Sequence, residues 1–176
     1  MKTKTIEIYE FNELSESAQD KAIDNIRTIN NDYEWWDSIY EDAKDAGIIL
    51  ESFDLDRNRH AKGYFRHCDG GLDCAELIVK NHGETCETYK TATVYLKDRD
   101  KLIESAPIDA DGEYEDECAL DNSLDDLDTD FLQSILEDYS ISLQGEYEYL
   151  GSKENLLEVI ACNEYTFNVN GRLEAA

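Results

Sequence analysis

One stretch of the chain, from Leu102 to Ser152, limits its possible structures more than any other feature. These 51 residues contain 16 Asp or Glu and no Lys, Arg or His, so they carry 16 of the 26 net negative charges. All 16 Lys and Arg of the chain lie outside this stretch. An ordinary helix surface mixes the two signs, because opposite charges three or four residues apart support a helix. The fold therefore has to accommodate a long and uniformly negative segment.

The second half of this stretch has the apolar periodicity of an α-helix. Its apolar residues recur at intervals of three or four: Leu132, Leu136, Tyr139, Leu143, Tyr147 and Leu150. At about 100° per residue, another set falls on the opposite face: Asp126, Asp130, Glu137 and Glu148. We therefore predict a long acidic helix near residues 124–150, despite Gly145, which costs about 1 kcal/mol there. Residues 108–123 form an acidic connector before it, either ordered or mobile.

Length and composition predict one folded domain, residues 1–176. Hydrophobic residues make up 41% of the chain, and its 11 Tyr, 5 Phe and 2 Trp recur periodically, so a sizeable core is expected rather than disorder. No apolar run approaches the roughly 20 residues of a membrane-spanning helix, and no apolar signal region follows Met1. Five Cys, an odd number, suit a reducing cytosol better than a disulfide framework. We therefore expect a cytoplasmic protein.

The strand patterns predict an α+β fold that is mostly helical. Residues 3–11 alternate between polar and apolar side chains and are expected to form an N-terminal strand. Residues 48–66 are typical of a β-hairpin, and residues 165–169 of a short C-terminal strand. Together these segments predict a small antiparallel sheet beside the helices.

The helix boundaries follow from capping residues and helix breakers. Ser15 is the expected N-cap of the first helix, and Gly47 is a typical residue just beyond the end of the second. Pro107 ends a longer helix that begins near Cys86, because the residue before a proline avoids the helical conformation. Further helices are expected at residues 33–46, 73–82 and 153–162.

Four short stretches resemble a recurring pattern in small uncharacterised proteins of phages and prophages. They read Glu13-Leu14-Ser15-x-x-Ala18-Gln19-x-Lys21-Ala22-Ile23, Trp35-Trp36-x-x-Ile39-Tyr40-Glu41-Asp42-Ala43-Lys44, His82-Gly83-x-x-Cys86-x-Thr88-Tyr89-Lys90-Thr91-Ala92 and Glu146-Tyr147-Glu148-Tyr149-Leu150. The resemblance covers nearly the full length of the chain. Some proteins of that family carry an automatic label of antitoxin from a toxin–antitoxin stability system. The resemblance implies a mobile-element setting, and no activity or residue role comes with it.

The acidic residues suggest capture of a basic partner by imitation of a nucleic-acid backbone. Duplex DNA carries one negative charge per about 1.7 Å of axis, and proteins bind this charge with Lys and Arg side chains. Carboxylates on a rigid helix can imitate that pattern, whereas direct contact with nucleic acid or anionic lipid is electrostatically disfavoured. A solvated face that aids solubility and a halophilic origin are alternatives that predict the same composition. The candidate partner-binding residues are Asp109, Asp111, Glu113, Glu115, Asp116, Glu117, Asp121, Asp126, Asp130, Glu137 and Glu148.

Trp35 is one further candidate for partner binding. Trp35 and Trp36 lie about 100° apart on a helix, so they cannot both face the same core squarely. We expect Trp36 in the core and Trp35 on its rim. The alternative makes Trp35 an interface anchor, since Trp is enriched at binding hot spots.

One cluster has the residue types of a metal site but lacks its spacing: His67, Cys68, Cys74, His82 and Cys86. Zinc sites normally include a tight Cys-x-x-Cys pair, which this sequence does not contain. A buried apolar position is the alternative for Cys86, and a cap or surface role for His82. Two Asp-rich segments, residues 54–58 and 109–112, fail the EF-hand pattern. We therefore expect no metal and no other cofactor.

The sequence has no Walker loop, nucleophile elbow, dinucleotide fingerprint or zincin helix. We therefore expect a non-enzymatic protein. Our main hypothesis is a phage or mobile-element inhibitor that binds a basic, nucleic-acid-binding defence protein of the host. An antitoxin-like protein that neutralises a cognate toxin through an apolar groove is the alternative, and a small-molecule sponge is the third. The oligomeric state stays open.

Overall fold

The structure is a computed structural model that describes residues 7–31, 33–67 and 70–175. The described chain is mostly α-helical with short antiparallel strands, which confirms the predicted α+β class. Its helices are α1 (Glu16–Ile26), α2 (Asp37–Asp45), α3 (Gly70–Asn81), α4 (Glu87–Ser105), α5 (Glu117–Leu150) and α6 (Lys153–Cys162). Within the described chain, no helix is long and apolar enough to cross a membrane.

The described strands form two antiparallel sheets. They are β1 (Tyr9–Glu10), β2 (Ile48–Asp54), β3 (His60–Phe65), β4 (Thr166–Phe167) and β5 (Leu173–Ala175). One sheet has the order β1-β4-β5, with Tyr9 opposite Phe167. The other is the predicted hairpin, β2 paired with β3, in which Ile48 lies opposite Phe65.

The chain divides into two compact units. The first unit contains the residues up to 35 and those from 145 onward, and the second unit contains residues 36–144. The sequence did not indicate this division. The prediction of a single domain over residues 1–176 stays a prediction.

In the first unit, α1 and α6 pack with the three-stranded sheet around one core. The predicted N-cap is confirmed, because the Ser15 hydroxyl accepts a hydrogen bond from the backbone N–H of Ala18 (3.4 Å). Gly171 has a φ of +80° in the turn between β4 and β5, and it lies against the backbone of α1. The buried residues are Leu14, Ala18, Ala22, Ile23, Ile26, Leu156, Ile160 and Phe167.

In the second unit, one face of α5 packs against the hairpin and α4. Phe131 of α5 stacks on Phe65 of β3, with ring centroids 6.0 Å apart, and on Tyr95 of α4, with centroids 4.2 Å apart. Stacked aromatic rings contribute beyond the area that they bury. The buried residues of this core are Ala43, Ala46, Ile48, Leu50, Cys74, Ala75, Ile78, Ala92, Tyr95, Phe131, Ile135 and Tyr139.

The buried stripe of α5 differs from the predicted one. Phe131 and Ile135 are buried, although neither belonged to the predicted stripe. The reason is the stacking of Phe131, which turns that side of the helix towards the core. Of the predicted set, Tyr139 and Leu143 are buried, Leu132, Leu136 and Leu150 are half-buried, and Tyr147 is exposed.

α5 begins at Glu117, seven residues before the predicted start near residue 124. Asp116 explains the difference, because its Oδ1 accepts a hydrogen bond from the backbone N–H of Ala119 (2.9 Å), as an N-cap does. The carboxylate of Glu117 lies in the first turn, at the positive end of the helix dipole. Acidic residues that were assigned to the connector therefore begin the helix.

The first sheet differs from prediction at both ends of the chain. The N-terminal strand covers only Tyr9–Glu10 among the described residues, and residues 3–6 of the predicted strand lie outside them. β5 was not predicted, and it pairs with β4 after a tight turn in which the N–H of Gly171 donates to the carbonyl of Asn168 (2.9 Å). Strands of two or three residues are too short for a periodic signal.

Substitution of Gly171 by Ala should destabilise the protein. An added Cβ would collide with the carbonyl oxygen of Ala18, and the positive φ is unfavourable for any residue with a side chain. We expect a decrease of about 2 kcal/mol or more in the free energy of unfolding, measured by denaturant titration. The control is Gly145→Ala in α5, where an added Cβ meets open space and should stabilise by about 0.5–1 kcal/mol. Equal unfolding midpoints for the two variants would contradict the close approach at Gly171.

Candidate functional site

The predicted acidic connector forms a hydrogen-bonded loop before α5. Ile108 and Tyr114 form an isolated antiparallel bridge. Within it, Asp109 Oδ1 accepts hydrogen bonds from the backbone N–H groups of Asp111 (2.9 Å) and Glu113 (3.0 Å). Asp109 therefore shapes the loop in addition to adding a negative charge.

Ten exposed carboxylates lie on this loop and on the first half of α5, and we call them the acidic surface. None of them forms an ion pair within the part of the chain that the structure describes. One cation lies nearby, because Arg99 of α4 lines a cavity together with Asp121 and Asp125. The rest of the mutual repulsion among the carboxylates is offset by solvent, by capping and by the packing of α5. The members are Asp109, Asp111, Glu113, Glu115, Asp116, Glu117, Asp121, Asp125, Asp126 and Asp130.

The charge density of α5 in this region matches that of one nucleic-acid strand. From Glu117 to Asp130 the helix rises about 20 Å and carries six carboxylates, five of them exposed. One strand of B-DNA carries about six phosphates over the same length, at one per 3.4 Å. A basic groove that neutralises phosphates could therefore meet a similar number of charges here.

Glu137 is exposed as predicted, but its charge is already paired. Arg59, in the turn between β2 and β3, contacts the Glu137 carboxylate through Nη2. The same guanidinium donates from Nε to the hydroxyl of the buried Ser140 (3.1 Å). This pair attaches the hairpin turn to α5, so Glu137 contributes less to the external field than the unpaired carboxylates do.

The two remaining predicted residues belong to the first unit. Glu148 is exposed near the end of α5. Trp35 is half-buried, and its ring centroid lies 5.8 Å from that of Tyr147. Trp36, in the second unit, is also half-buried and contacts Phe53 edge to face (5.6 Å). Trp35 therefore has a packing role in its own unit, and its role as an interface anchor stays a prediction.

Four carboxylates of α5 were not among the predicted site residues: Asp125, Asp128, Asp138 and Glu146, the last of which is half-buried in the first unit. Asp125 is exposed, whereas Asp128 is half-buried and accepts a hydrogen bond from the hydroxyl of Tyr95. Asp138 is half-buried, and its Oδ2 accepts a hydrogen bond from the Thr91 hydroxyl (2.7 Å). Burial raises the pKa of Asp138 above its ordinary value, because desolvation disfavours the charged form. Asp138 follows the buried Phe131 by seven residues and Asp128 precedes the buried Ile135 by seven, so both lie on the core side of the helix. This spacing is the sequence signal that separates them from the exposed acids.

The candidate metal ligands do not come together. His67 and Cys86 are exposed, and Cys68 lies outside the described residues. Cys74 is buried in the core, which raises the pKa of its thiol to about 12. Cys86 is the N-cap residue of α4 and is exposed, so the expectation of a buried apolar position was wrong. Among the described residues, no three His, Cys, Asp or Glu side chains form a group that could hold a metal ion.

His82 belongs to a polar network in a cavity of about 530 Å³ in the second unit. Its Nδ1 lies 2.8 Å from the hydroxyl of Thr88, and its Nε2 lies 3.6 Å from Oδ1 of Asp42. The hydroxyl of Tyr139 donates to Oδ2 of the same carboxylate (3.0 Å). Cys86 also lines this cavity, but both imidazole nitrogens face other groups. The network therefore links α2, α4 and α5 and gives no indication of an activated thiol.

No protein-family model, curated protein or solved structure matches this chain. Any functional proposal therefore depends on the residues and geometry described above. The acidic surface is the feature that the composition, the exposure and the ion pairing single out together.

Replacement of Asp138 by Asn should stabilise the protein at neutral pH. Because the pKa of Asp138 is raised, the folded state binds its proton more tightly than the unfolded state does. The stability that Asp138 contributes to the folded state is therefore greatest when the pH is below the ordinary pKa of 3.8. It is lost as the pH rises through the raised pKa. Asn still accepts the hydrogen bond from Thr91 but carries no desolvated charge.

The measurement is the free energy of unfolding of wild type and Asp138→Asn between neutral pH and the pKa region. The difference in the free energy of unfolding between Asp138→Asn and wild type should decrease as the pH falls. Asp126→Asn, which removes an exposed charge of the same helix, is the control for the change in net charge. A gain that is independent of pH, or one no larger than that of the control, would argue against a desolvated Asp138.

Proposed function

We propose that this protein is a non-enzymatic inhibitor that binds a basic, nucleic-acid-binding protein. Its acidic surface takes the place of the nucleic-acid backbone in the partner's groove. The observation that carries the proposal is the set of ten exposed carboxylates without an ion pair among the described residues. The partner recognises them as it recognises phosphates, through Lys and Arg.

The distribution of basic residues supports partner binding over simple solubility. All 16 Lys and Arg lie outside residues 102–152, and several of them pair with nearby acids elsewhere, such as Lys44 with Glu41 and Lys101 with Asp98. A surface selected only for solubility has no reason to exclude every base from one helix, because mixed charges stabilise helices. This exclusion leaves α5 without a positive charge of its own, so the acidic surface keeps a strong negative field where a cationic partner would bind.

Electrostatics also determine the class of partner and the kinetics of binding. A surface of this sign repels nucleic acid and anionic lipid. It attracts a basic protein over a distance of about 10 Å at 0.1 M salt, which raises the association rate. The resemblance to phage and prophage proteins suggests a defence nuclease or restriction factor of the host as the partner. The place of action would then be the host cytosol.

A charge-reversal pair tests the proposal directly. Asp126 and Asp130 are exposed, one helical turn apart and unpaired among the described residues. Asp126→Lys with Asp130→Lys should weaken binding by roughly 10- to 100-fold, because two attractive contacts become repulsive. Glu154→Lys with Glu158→Lys in α6 is the matched control, since it changes the net charge equally at two exposed positions with the same spacing.

The partner is obtained by affinity capture from host cytosol at low salt and elution with rising salt. Binding of the purified partner is then measured by fluorescence anisotropy, together with competition by duplex DNA. We expect the affinity to fall by at least about tenfold between about 50 and 500 mM salt, and DNA to compete with the protein. An affinity that does not change with salt, or equal losses in the two reversal variants, would count against imitation of a nucleic-acid backbone.

A further inference from the structure

A preformed apolar groove lies between α4 and α5, directly beside the acidic surface. Its floor consists of the stacked rings of Tyr95 and Phe131, each only 3% exposed. The groove encloses about 470 Å³, within the roughly 300–1,000 Å³ of typical ligand pockets. It is lined by Lys90, Thr91, Val94, Tyr95, Asp98, Leu127, Asp130, Phe131 and Ser134.

Several contacts hold the floor of this groove in place. The hydroxyl of Tyr95 donates to Asp128, and the other face of the aromatic stack is formed by Phe65 of β3. Thr91, on the groove wall, donates its hydroxyl to Asp138. An occupant would therefore not have to order these side chains, which lowers the entropic cost of binding.

The wall of the groove that α4 forms exposes apolar surface. Val94 is 57% exposed, although an exposed position on α4 would ordinarily be polar. Leu127 of α5 is half-buried on the opposite wall. An apolar side chain that enters from solvent would bury the exposed apolar surface of both residues, above an aromatic floor that is already shielded from water.

The charges around the groove indicate what the rest of the occupant must be. Asp130 lines the groove and is a member of the acidic surface, and Asp126 lies one helical turn before it. Lys90, at the groove wall, is paired with Glu87 (2.6 Å), so its charge is compensated. Apolar walls beside unpaired carboxylates fit a segment that combines apolar anchors with Lys or Arg.

We propose that this groove binds an amphipathic, basic segment of the partner protein. Apolar side chains of that segment contact Val94, Leu127 and the aromatic floor, while its Lys or Arg residues pair with Asp126 and Asp130. This inference rests on the proposed function and specifies which part of a basic protein is recognised. A second copy of this chain fits the groove poorly, because two chains with a net charge of -26 repel each other.

The test uses two synthetic peptides of about 18 residues with identical composition. In the first, Leu residues recur at helical spacing on one face and Lys residues occupy the other. In the second, the order is scrambled so that no apolar face forms. Because the two peptides carry equal charge, their electrostatic attraction to the protein is the same. Any difference in affinity at low salt therefore measures the contribution of the groove. We expect wild type to prefer the amphipathic peptide by roughly tenfold.

Val94→Asn should abolish this preference and leave the affinity for the scrambled peptide unchanged. Val169→Asn is the matched control, because Val169 is also exposed (63%) and lies in the first unit. Methyl NMR spectra should show shifts of Val94 and Leu127, and none of Val169, when the amphipathic peptide is added. Substitution of the exposed Val94 should leave the fold intact, which the same spectra verify.

The outcomes separate this inference from the proposed function. A preference that survives Val94→Asn, or that Val169→Asn removes, overturns the groove as the binding site. Equal binding of both peptides by wild type, weakened by Asp126→Lys with Asp130→Lys, also overturns the groove but supports the acidic surface. Failure of wild type to bind either peptide at low salt counts against both.

Discussion

The stacking of Phe131 between Phe65 and Tyr95 determines how the second unit is organised. This contact attaches α5 to the hairpin and to α4 at one position along the helix. Because a helix has one orientation about its axis at a given contact, the stacking also decides which carboxylates of α5 face solvent. Asp126 and Asp130 are thereby exposed, whereas Asp128 and Asp138 are half-buried and hydrogen-bonded. The acidic surface is in this sense a consequence of an aromatic contact.

The carboxylates of α5 have two roles that the structure separates. Some of them stabilise the helix: Asp116 caps it, and Glu117 lies at the positive end of its dipole. Glu137 joins it to the hairpin turn through Arg59. Asp128 and Asp138 accept hydrogen bonds from side chains of α4. Asp121, Asp125, Asp126 and Asp130 form no ion pair among the described residues, and they repel each other in a chain that is already strongly negative. A partner with the opposite charge would give this repulsion a function, and the neighbouring apolar groove would add specificity that charge alone does not supply.

Much of the local structure could be predicted from the sequence. Ser15 was correctly predicted as an N-cap, α6 has the predicted bounds, and the hairpin appears where alternation and turn residues placed it. These features depend on neighbours within a few residues. The start of α5 was missed, because an acidic run before a helix is equally typical of a loop, and only the bond from Ala119 to Asp116 shows that it caps the helix. β5 was missed because its three residues are too few to give a periodic signal.

The sequence by itself determined that this chain forms a helical α+β protein with a long helix that lacks basic residues. Periodicity and charge can be identified directly from the order of the residues. Only the tertiary structure decided which acids are free, paired or half-buried. The ion pair of Glu137 with Arg59 joins residues that are 78 positions apart, and the groove requires α4 and α5 to lie side by side. Contacts between distant residues leave no periodic trace in one sequence, because they depend on how separate elements pack against each other.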